Sequence, residues 1–291
     1  MNKKKSKPEL SILVLTWNGE GVIKTNLDSI YRNMPKDGSW EVIVVDNASA
    51  DKTREIVNEY EGVKLIKNRE NFGFAAGNNI GLKEAKGDYV LLLNQDVEQI
   101  DGAIEKMLDF LKNNEDFGLA APQLLYPDGR VQLSCRPFYK WSNLFLDYIT
   151  FSQYRKNYYD HTKSQEADQP MASVLMIKRE VLNEVKGFDD HRDFWLYFND
   201  MDLSYRIHQA GHKHYLLTEA KFYHHHGESA FKMLQYKRLL EYHRGLKRFF
   251  FKHHIKHKFG PAGLVFWVFL AASYVSRNIE VIIKGFWKKM R

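Results

Sequence analysis

Hydrophobic and polar residues alternate in blocks over the first 120 residues of the chain. Largely apolar runs of five to seven residues are typical of strands buried on both faces, and they lie at 10–16, 40–46, 63–67 and 88–94. Between these runs apolar residues recur at helical spacing, which predicts helices at 21–33, 52–60, 74–86 and 102–113. This alternation predicts an α/β fold with a doubly wound, mostly parallel sheet.

The pattern changes after residue 122. The segment YPDGR at 126–130 predicts a turn between two short strands. Residues 141–168 are aromatic and polar without a clear period, so we expect a mobile loop or lid there, and we expect the segment at 136–170 to set substrate specificity. Regular elements return further on, with strands predicted at 171–179 and 212–218 and helices at 179–186 and 199–210.

Charge divides the chain into two parts. The 291 residues carry a net charge of +7, but residues 232–291 contain 14 Lys and Arg against 2 Asp and Glu, a net of +12. We therefore expect two parts, a domain at 1–230 that contains the α/β sheet and a helical, basic segment at 231–291. A basic segment suits an anionic surface, and since no nucleic-acid-binding motif accompanies the charge, we expect no nucleic acid partner.

Residues 259–276 are uncharged and rich in Phe, Trp, Val and Leu, with Lys and Arg on both sides. The stretch is at the lower limit for a bilayer span, and its pattern is typical of a helix that lies on an anionic membrane surface. We expect interfacial attachment, with a true span or a soluble or oligomerising helix as the alternatives. The single cysteine, Cys135, excludes a disulfide scaffold and, without a recognisable secretion signal, indicates a reducing compartment.

Polar side chains follow three of the predicted strands at the point where each strand ends. Ligands of open parallel sheets bind beyond these ends, so the first candidate site residues are Thr16, Asn18, Asp46, Asn47, Asn94 and Asp96. A carboxylate at Asp96 suits a hard divalent cation that bridges two phosphates, with a turn or helix N-cap role as the alternative. Lys24 stands where a dinucleotide fingerprint needs its third glycine, and no P-loop is present, which argues against a dehydrogenase or a P-loop kinase.

Glycines recur at every fourth position in the segment at 70–81, at Gly73, Gly77 and Gly81. Small residues at this spacing let a helix pack closely against a neighbour. Asn78 would then project near the start of that helix, where it is a candidate ligand-binding residue.

Two later clusters carry candidate catalytic chemistry. Asp200 lies near the start of a predicted helix and has no ion-pair partner in sequence, so it is a candidate general base. Asp202 lies four residues before Arg206, the spacing of a surface ion pair on a helix. His224 and His226 share one face of an extended strand and are candidate ligands that complete a metal site with Asp96, with ordinary surface histidines as the alternative.

Taken in order, these motifs resemble family 2 glycosyltransferases of the GT-A fold, in particular their rhamnosyltransferase-like branch. The resemblance covers roughly residues 10–230. Its motifs are LVLTWN (13–18), VIVVDNASADKT (42–53), NRENFGFAAGNNIG (68–81), GDYVLLLNQD (87–96), WLYFNDMDLSYRIHQAG (195–211) and the segment at 224–229.

The resemblance implies roles for individual residues. The nucleotide-sugar site would comprise Thr16, Asn18, Asp46, Asn47, Asn71, Gly73, Asn78 and Asn94. Asp96 would bind Mg²⁺ or Mn²⁺, and Asp200 would be the catalytic base. The chain departs from the family pattern at Asn94, which replaces the first Asp of the metal motif, and at Asn199, which replaces the acidic residue before the base.

The resemblance also implies a reaction. An inverting enzyme would move rhamnose or a similar sugar from a nucleoside-diphosphate donor to a hydroxyl of a saccharide acceptor, polyprenyl-linked, in surface polysaccharide synthesis. Its place would be the cytoplasmic face of the cell membrane, as a peripheral or monotopic protein. Two alternatives stay open: a non-catalytic scaffold of the same fold, and a nucleotidyltransferase, to which the sequence TWNGEGVIK at 16–24 is a poor fit.

Overall fold

A computed structural model gives the three-dimensional structure of the chain. It describes residues 7–34, 39–150, 153–225 and 235–289, with the backbone alone for 235 and 278–289. The strands are β1 (Leu10–Thr16), β2 (Trp40–Asp46), β3 (Val63–Lys67), β4 (Tyr89–Asn94), β5 (Val97–Ile100), β6 (Phe117–Leu125), β7 (Cys135–Arg136), β8 (Gln165–Glu166), β9 (Gln169–Pro170), β10 (Val174–Lys178) and β11 (Lys213–His224). The helices are α1 (Ile23–Asn33), α2 (Thr53–Asn58), α3 (Gly73–Glu84), α4 (Ala103–Asn113), α5 (Trp141–Ile149), α6 (Gln153–Lys156), α7 (Arg179–Glu184), α8 (Asn199–Gln209), α9 (Gln235–His253) and α10 (Pro261–Lys289), with a 3₁₀ turn at Arg192–Phe194.

One large sheet organises the molecule. Its strands lie in the order β3-β2-β1-β4-β10-β6-β11-β5, and β8 also pairs with β11. The first four of these strands are parallel, whereas β10 and β5 run antiparallel to their neighbours. The α/β fold with a mostly parallel sheet that the sequence predicts is therefore confirmed. Because β1, β2 and β4 are parallel, the polar residues at their carboxyl ends meet at one edge of the sheet.

Alternation along the strands divides the core into two layers. Ile12 and Val14 pack on the face covered by α1 and α4, whereas Leu13 packs on the opposite face with α3, α7 and α8. Helix α3 approaches β1 closely, since a Cβ added to Gly81 would lie 2.1 Å from Leu13 Cδ1. A Cβ at Gly77 would lie 2.6 Å from a Leu15 methyl. The close packing predicted from the glycine spacing is confirmed.

The segment at 141–168 differs from its prediction. It contains α5, α6 and β8, so the prediction of a loop without regular structure is wrong. Buried polar contacts hold it in place: Tyr139 donates to Asp147 Oδ2 at 2.6 Å, and the Arg155 guanidinium donates to Pro137 O. Such contacts leave no hydrophobic period in the sequence, which explains why the pattern misses these elements.

Two strands also differ from the sequence pattern. The pattern predicts only a short strand before the turn at 126–130, whereas β6 has 9 residues. It also ends the last strand of the sheet at 218, whereas β11 continues through an irregularity between Leu217 and Lys221 to His224. The predicted turn at 126–130 is confirmed, because Tyr126 N donates to Arg130 O at 2.8 Å. The longer β11 matters for the site, since it carries His224 to the polar edge of the sheet.

Helices α9 and α10 pack against the sheet domain through a third, aromatic core. Its buried members include Phe138, Leu144, Phe198, Met201, Leu246, Phe249, Phe250 and Phe266. The division of the chain near residue 230 stays a prediction, but α9 and α8 share this core. None of the helices in the described part of the chain combines enough length with enough apolar character to cross a bilayer.

Candidate active site

A cavity of about 500 Å³ opens where the carboxyl ends of β1, β2 and β4 meet. Its wall joins these strand ends to the start of α8, the end of β11 and the β7–β9 ribbon. The predicted site residues that line it are Thr16, Asn47, Asn71, Gly73, Asn94, Asp96, Asp200 and His224. Residues far apart in the sequence therefore share one cavity, as the sequence predicts.

Gln95 fixes the end of β1 at the cavity. Thr16 Oγ1 donates to Gln95 Oε1 at 2.5 Å, and Trp17 N donates to the same oxygen at 2.9 Å. In return Gln95 Nε2 donates to Trp17 O at 3.2 Å. In the sequence Gln95 is marked only as part of the motif at 87–96, yet its side chain ties two strand ends together.

The start of α3 forms a neighbouring part of the wall. Asn47 Nδ2 donates to Gly73 O at 3.0 Å, and Asn71 Oδ1 accepts from Gly73 N at 2.9 Å. Gly73 has a φ of 83°, and a Cβ there would lie 2.3 Å from a ring carbon of Trp195. Glycine is required at this position on both counts, because other residues are strained at positive φ and none would leave room for the indole.

Asp96 and His224 lie side by side, with His224 Nε2 3.6 Å from Asp96 Oδ1. Both residues are buried, and the His224 ring is oriented by a 2.7 Å hydrogen bond between its Nδ1 and Gln132 Oε1. An amide oxygen accepts, so Nδ1 is the donor in this bond and Nε2 is the ring nitrogen that faces the carboxylate.

A carboxylate and an imidazole that face each other are both ligand types that divalent cations take. Neighbouring ligands of Mg²⁺ or Mn²⁺ lie about 3 Å apart, so the 3.6 Å between His224 Nε2 and Asp96 Oδ1 is short enough for the two side chains to hold one cation after a small adjustment. No group of three or more His, Cys, Asp or Glu that could hold a metal occurs within the described ranges. The third predicted ligand, His226, lies outside the described residues.

Asp200 lies in the first turn of α8 and faces the cavity. Its carboxylate accepts from its own helix, at Met201 N (2.8 Å), and from Gln169 Nε2 (3.0 Å). Burial raises the pKa of Asp200, and this effect outweighs the Met201 hydrogen bond and the nearby Arg136 and Arg155, which lower it. A carboxylate of raised pKa in a cavity is suited to act as a base.

The turn before Asp200 contains a strained residue, Phe198, whose side chain is held by aromatic packing. Phe198 has a φ of 67°, an uncommon conformation for a bulky residue. Its ring packs against Tyr139, and also against Tyr242 and Phe249, which lie on α9 and belong to the aromatic core. Gly245 of α9 lets this helix approach, since a Cβ there would lie 2.9 Å from the carbonyl oxygen of residue 197.

A buried ion network also fastens α9 to α8. Asp202 is fully buried and accepts from Arg206 Nε (2.7 Å), Lys252 Nζ (2.6 Å) and His253 Nε2 (2.8 Å). The Asp202–Arg206 pair predicted from the sequence is confirmed, but the prediction that it lies at the surface is wrong. Lys252 bridges further to Asp189, at 2.8 Å.

Three predicted residues do not line the cavity. Asp46 is buried against Arg54 and the backbone N–H of Ser49. Asn18 Oδ1 accepts from Ala50 N, and Asn78 Nδ2 donates to a carbonyl within α3. These side chains hold the neighbouring loops and helix in place, so any contact they make with a nucleotide stays a prediction.

Among the cavity residues that the sequence does not mark as individual candidates, three carry polar or charged groups close to Asp200: Arg136, Arg155 and Gln169. All three lie within the segment at 136–170, which is predicted to set substrate specificity, although the sequence does not indicate which of its residues do so. No local motif marks them, because Arg136 and Gln169 come together only when β7 pairs with β9, and Arg155 reaches the cavity from α6.

A scan against family models matches residues 11–186, more than half of the chain, to glycosyl transferase family 2. An N-acetylglucosaminyl-diphospho-decaprenol L-rhamnosyltransferase of Mycobacterium tuberculosis is 26% identical over 208 residues, covering 65% of this chain and 67% of that protein. An uncharacterised protein of Sinorhizobium fredii is 27% identical over 81% of this chain, but the match spans 27% of that relative.

Among solved structures, a mannosyltransferase from Pyrobaculum calidifontis in complex with GDP-Man and Mn²⁺ has a similar fold. Its TM-score is 0.58 at 17% identity, with 98% of this chain and 81% of that chain covered. The sheet order, the cavity at the strand ends and these likenesses agree on the GT-A fold. The chain belongs to glycosyltransferase family 2.

Proposed function

We propose that this protein is an inverting glycosyltransferase that moves a sugar from a nucleoside-diphosphate donor to a hydroxyl of a saccharide acceptor. One observation carries the proposal: a single cavity is lined both by Asp200, a carboxylate of raised pKa, and by the Asp96–His224 pair beside the polar strand ends. The likeness to a rhamnosyltransferase supports rhamnose or a similar sugar, and an acceptor carried on a lipid diphosphate.

The proposed reaction is a single displacement. Asp200 takes the proton of the acceptor hydroxyl while that oxygen forms a bond to the anomeric carbon. The bond between this carbon and the diphosphate oxygen breaks, and its electron pair leaves with the nucleoside diphosphate. Gln169 and the N–H of Met201 hold the Asp200 carboxylate in orientation through the two hydrogen bonds described above.

The leaving diphosphate needs positive charge nearby. Asp96 and His224 would hold a divalent cation, Mg²⁺ or Mn²⁺, which supplies charge neutralisation for the leaving group when bound. With Asn94 in place of a second carboxylate, the strand end contributes one acidic ligand, and Asn94 instead donates towards Ser173 Oγ at 3.4 Å.

Nucleotide release tests the function directly. Purified protein in mild detergent is given dTDP-, UDP-, GDP- or CDP-sugars with Mn²⁺ and a bacterial lipid extract as acceptor source. Release of a nucleoside diphosphate from one donor, stimulated by the extract, is the expected result. A folded protein that releases none from any donor would instead favour the non-catalytic scaffold.

Substitution of Asp96 tests the cation site. The change Asp96→Asn removes the carboxylate that faces His224, so we expect half-maximal release to need at least about tenfold more Mn²⁺. The matched control is Asp101→Asn, since Asp101 is exposed and its positive φ of 37° is one that asparagine tolerates. Equal Mn²⁺ dependence of the two variants would rule out Asp96 as a ligand.

Substitution of Gln169 tests the environment of the base. The change Gln169→Met removes a hydrogen bond to the Asp200 carboxylate, and loss of a donor to the charged form raises a pKa. We expect the acid limb of the kcat/KM profile to move to higher pH, because Asp200 is then protonated over a wider range. Gln153→Met, on the exposed face of α6, is the control, and an unmoved profile in the Gln169 variant would contradict the assignment.

We further propose that the protein works at an anionic membrane surface, on its cytoplasmic face. Helices α5 and α10 expose large apolar side chains, with exposed fractions of 60% at Phe145, 48% at Ile149, 54% at Leu264 and 72% at Val268. The two helices are joined by a 2.6 Å hydrogen bond between Tyr148 and Ser276. Helix α10 belongs to the strongly positive segment at 231–291, and exposed apolar side chains on such a segment are typical of an interfacial helix.

Sedimentation with lipid vesicles tests this surface. We expect binding to vesicles that contain anionic lipid, weakened by salt and reduced at least about fivefold by the double change Phe145→Gln and Val268→Gln, because both changes remove apolar contact area. Leu133→Gln, at another exposed apolar position, serves as the control. Equal sedimentation of all three proteins would exclude this face as the membrane contact.

A further inference from the structure

The β7–β9 ribbon brings a cationic side chain beside the proposed base, and the mechanism above does not use it. Arg136 of β7 lies directly opposite Gln169 of β9 in the antiparallel register. Directly opposed residues project from the same face of a ribbon. Gln169 in turn donates to Asp200 at 3.0 Å, and all three side chains line the same cavity. Arg136 is thus held next to the Asp200 carboxylate.

A second guanidinium lies close by on α6. Arg155 is 5% exposed, and its guanidinium stacks on the Tyr139 ring at 3.6 Å from the centroid. Its Nε and Nη2 both donate to Pro137 O, at 3.1 and 2.8 Å, which uses two of the five N–H donors of arginine. The stacking and these two bonds fix the plane of the guanidinium without neutralising its charge.

Neither guanidinium is in a close ion pair with a described carboxylate, although both lie near enough to Asp200 to lower its pKa. Within the part of the chain that the structure describes, no carboxylate oxygen lies within ion-pair distance of Arg136 or Arg155. The neighbouring acidic residues make other bonds: Asp147 accepts from Tyr139 OH, and Asp168 accepts from Phe138 N. The Asp200 side of the cavity therefore holds two positive charges in partly desolvated surroundings, which favours an anionic ligand.

We propose that Arg136 and Arg155 form a subsite for a phosphate group of the acceptor, adjacent to the hydroxyl that Asp200 deprotonates; this rests on the proposed function. The planar fork of arginine matches phosphate oxygens in pairs. The donor diphosphate would have its own partner, a cation held by Asp96 and His224. The two arginines come instead from β7 and α6 and flank the base. The phosphate thereby orients the acceptor saccharide towards Asp200.

The subsite is tested with inorganic pyrophosphate as the probe, on the full chain in mild detergent with EDTA present. Trp17 and Trp195 line the cavity, so their fluorescence reports binding. The expected result is saturable binding whose dissociation constant rises at least about tenfold in Arg136→Gln and is unchanged in Arg130→Gln. Arg130 is a matched control because it is exposed and paired with Asp128 on a surface turn.

Several outcomes decide the proposal. Arg136→Lys keeps the charge and loses the fork, so an intermediate effect supports the subsite and covers the case in which Arg136→Gln does not fold. Pyrophosphate binding that is absent, or equal in Arg136→Gln and wild type, overturns it. So does a parallel loss of nucleoside diphosphate binding with Mn²⁺ in Arg136→Gln, because the arginine would then belong to the donor site.

A lipid arm identifies the source of the phosphate. Farnesyl diphosphate replaces pyrophosphate in the same titration, and tighter binding that still depends on Arg136 supports a lipid-linked acceptor. Equal binding of the two probes supports a soluble phosphosaccharide at the same subsite. Failure of the proposed function is seen separately, as absence of nucleotide release in a protein that still binds pyrophosphate through Arg136.

Discussion

The change Asp200→Asn is expected to lower the rate of sugar transfer by about 10²- to 10⁴-fold, the usual contribution of a general base. Asparagine keeps the size of the side chain and can still accept from Met201 N or Gln169, but it cannot take the acceptor proton. Binding of the nucleoside diphosphate is expected to stay within about twofold of wild type, because the nucleotide and cation residues are untouched. The assay is nucleotide release with saturating donor.

The same variant has an expected effect on stability that separates catalysis from folding. Burial raises the folded-state pKa of Asp200 above its ordinary value of 3.8, so the charged form is disfavoured in the fold. Because the pKa of Asp200 is higher in the folded protein than in the unfolded chain, the protonated side chain favours folding at pH values below the unfolded-state pKa. This stabilisation is lost as the pH rises through the folded-state pKa. At neutral pH the melting temperature of Asp200→Asn should therefore equal or exceed that of wild type. An inactive variant with a lower melting temperature would contradict this account of the base.

The change Asp202→Asn is expected to destabilise the protein by about 3–5 kcal/mol, because it breaks a buried ion network and leaves charges without a partner. Asp202 is fully buried and bonds side chains on both α8 and α9, at Arg206, Lys252 and His253. For a chain of this size the loss corresponds to a fall in melting temperature of about 6–20 °C. Differential scanning calorimetry of the two proteins measures it.

Asp28→Asn is the control for Asp202→Asn. Asp28 pairs with Lys24 at the surface, at 2.8 Å with side chains 39% and 61% exposed, so its loss should cost less than about 1 kcal/mol. Burial alone would raise the pKa of Asp202, but His253, Arg206 and Lys252 outweigh it and lower the pKa. The Asp202 carboxylate therefore stabilises the fold at pH values above its pKa in the unfolded chain. This stabilisation is lost as the pH falls through its lower pKa in the folded protein. If the difference in unfolding free energy between wild type and Asp202→Asn persisted unchanged into strong acid, this result would contradict the proposed ion network.

Sequence alone predicts the part of the site that local patterns encode. Strands β1, β2 and β4 are continuous apolar runs, and the residues that follow them reach the sheet edge because parallel strands end together. Asp96 and Asp200 are placed in one cavity as predicted, although 104 positions separate them in the sequence. The catalytic roles of these residues stay predictions until activity is measured.

The parts of the site that the sequence does not predict are held together by contacts between residues far apart in the chain. Arg136 and Gln169 become neighbours through a ribbon of two residues per strand, too short to leave a period of two. Arg155 is buried by stacking on Tyr139, which no hydrophobic pattern encodes. The packing of α9 against α8 is also not predicted, because the ion pair between Asp202 and Lys252 joins residues that are 50 positions apart in the sequence.

Thermal denaturation with dTDP, UDP, GDP and CDP, each with and without Mn²⁺, tests the central claim most directly, that this cavity binds a nucleotide sugar through a cation at Asp96. Wild type, Asp96→Asn and Asp200→Asn are compared, and a ligand at about 100 times its dissociation constant adds about 2.7 kcal/mol, a shift that a melt resolves. We expect one nucleoside diphosphate to raise the melting temperature in the presence of Mn²⁺. This rise should be retained in Asp200→Asn and lost or weakened in Asp96→Asn. No rise with any diphosphate in folded wild-type protein, or an equal rise in Asp96→Asn, would contradict it.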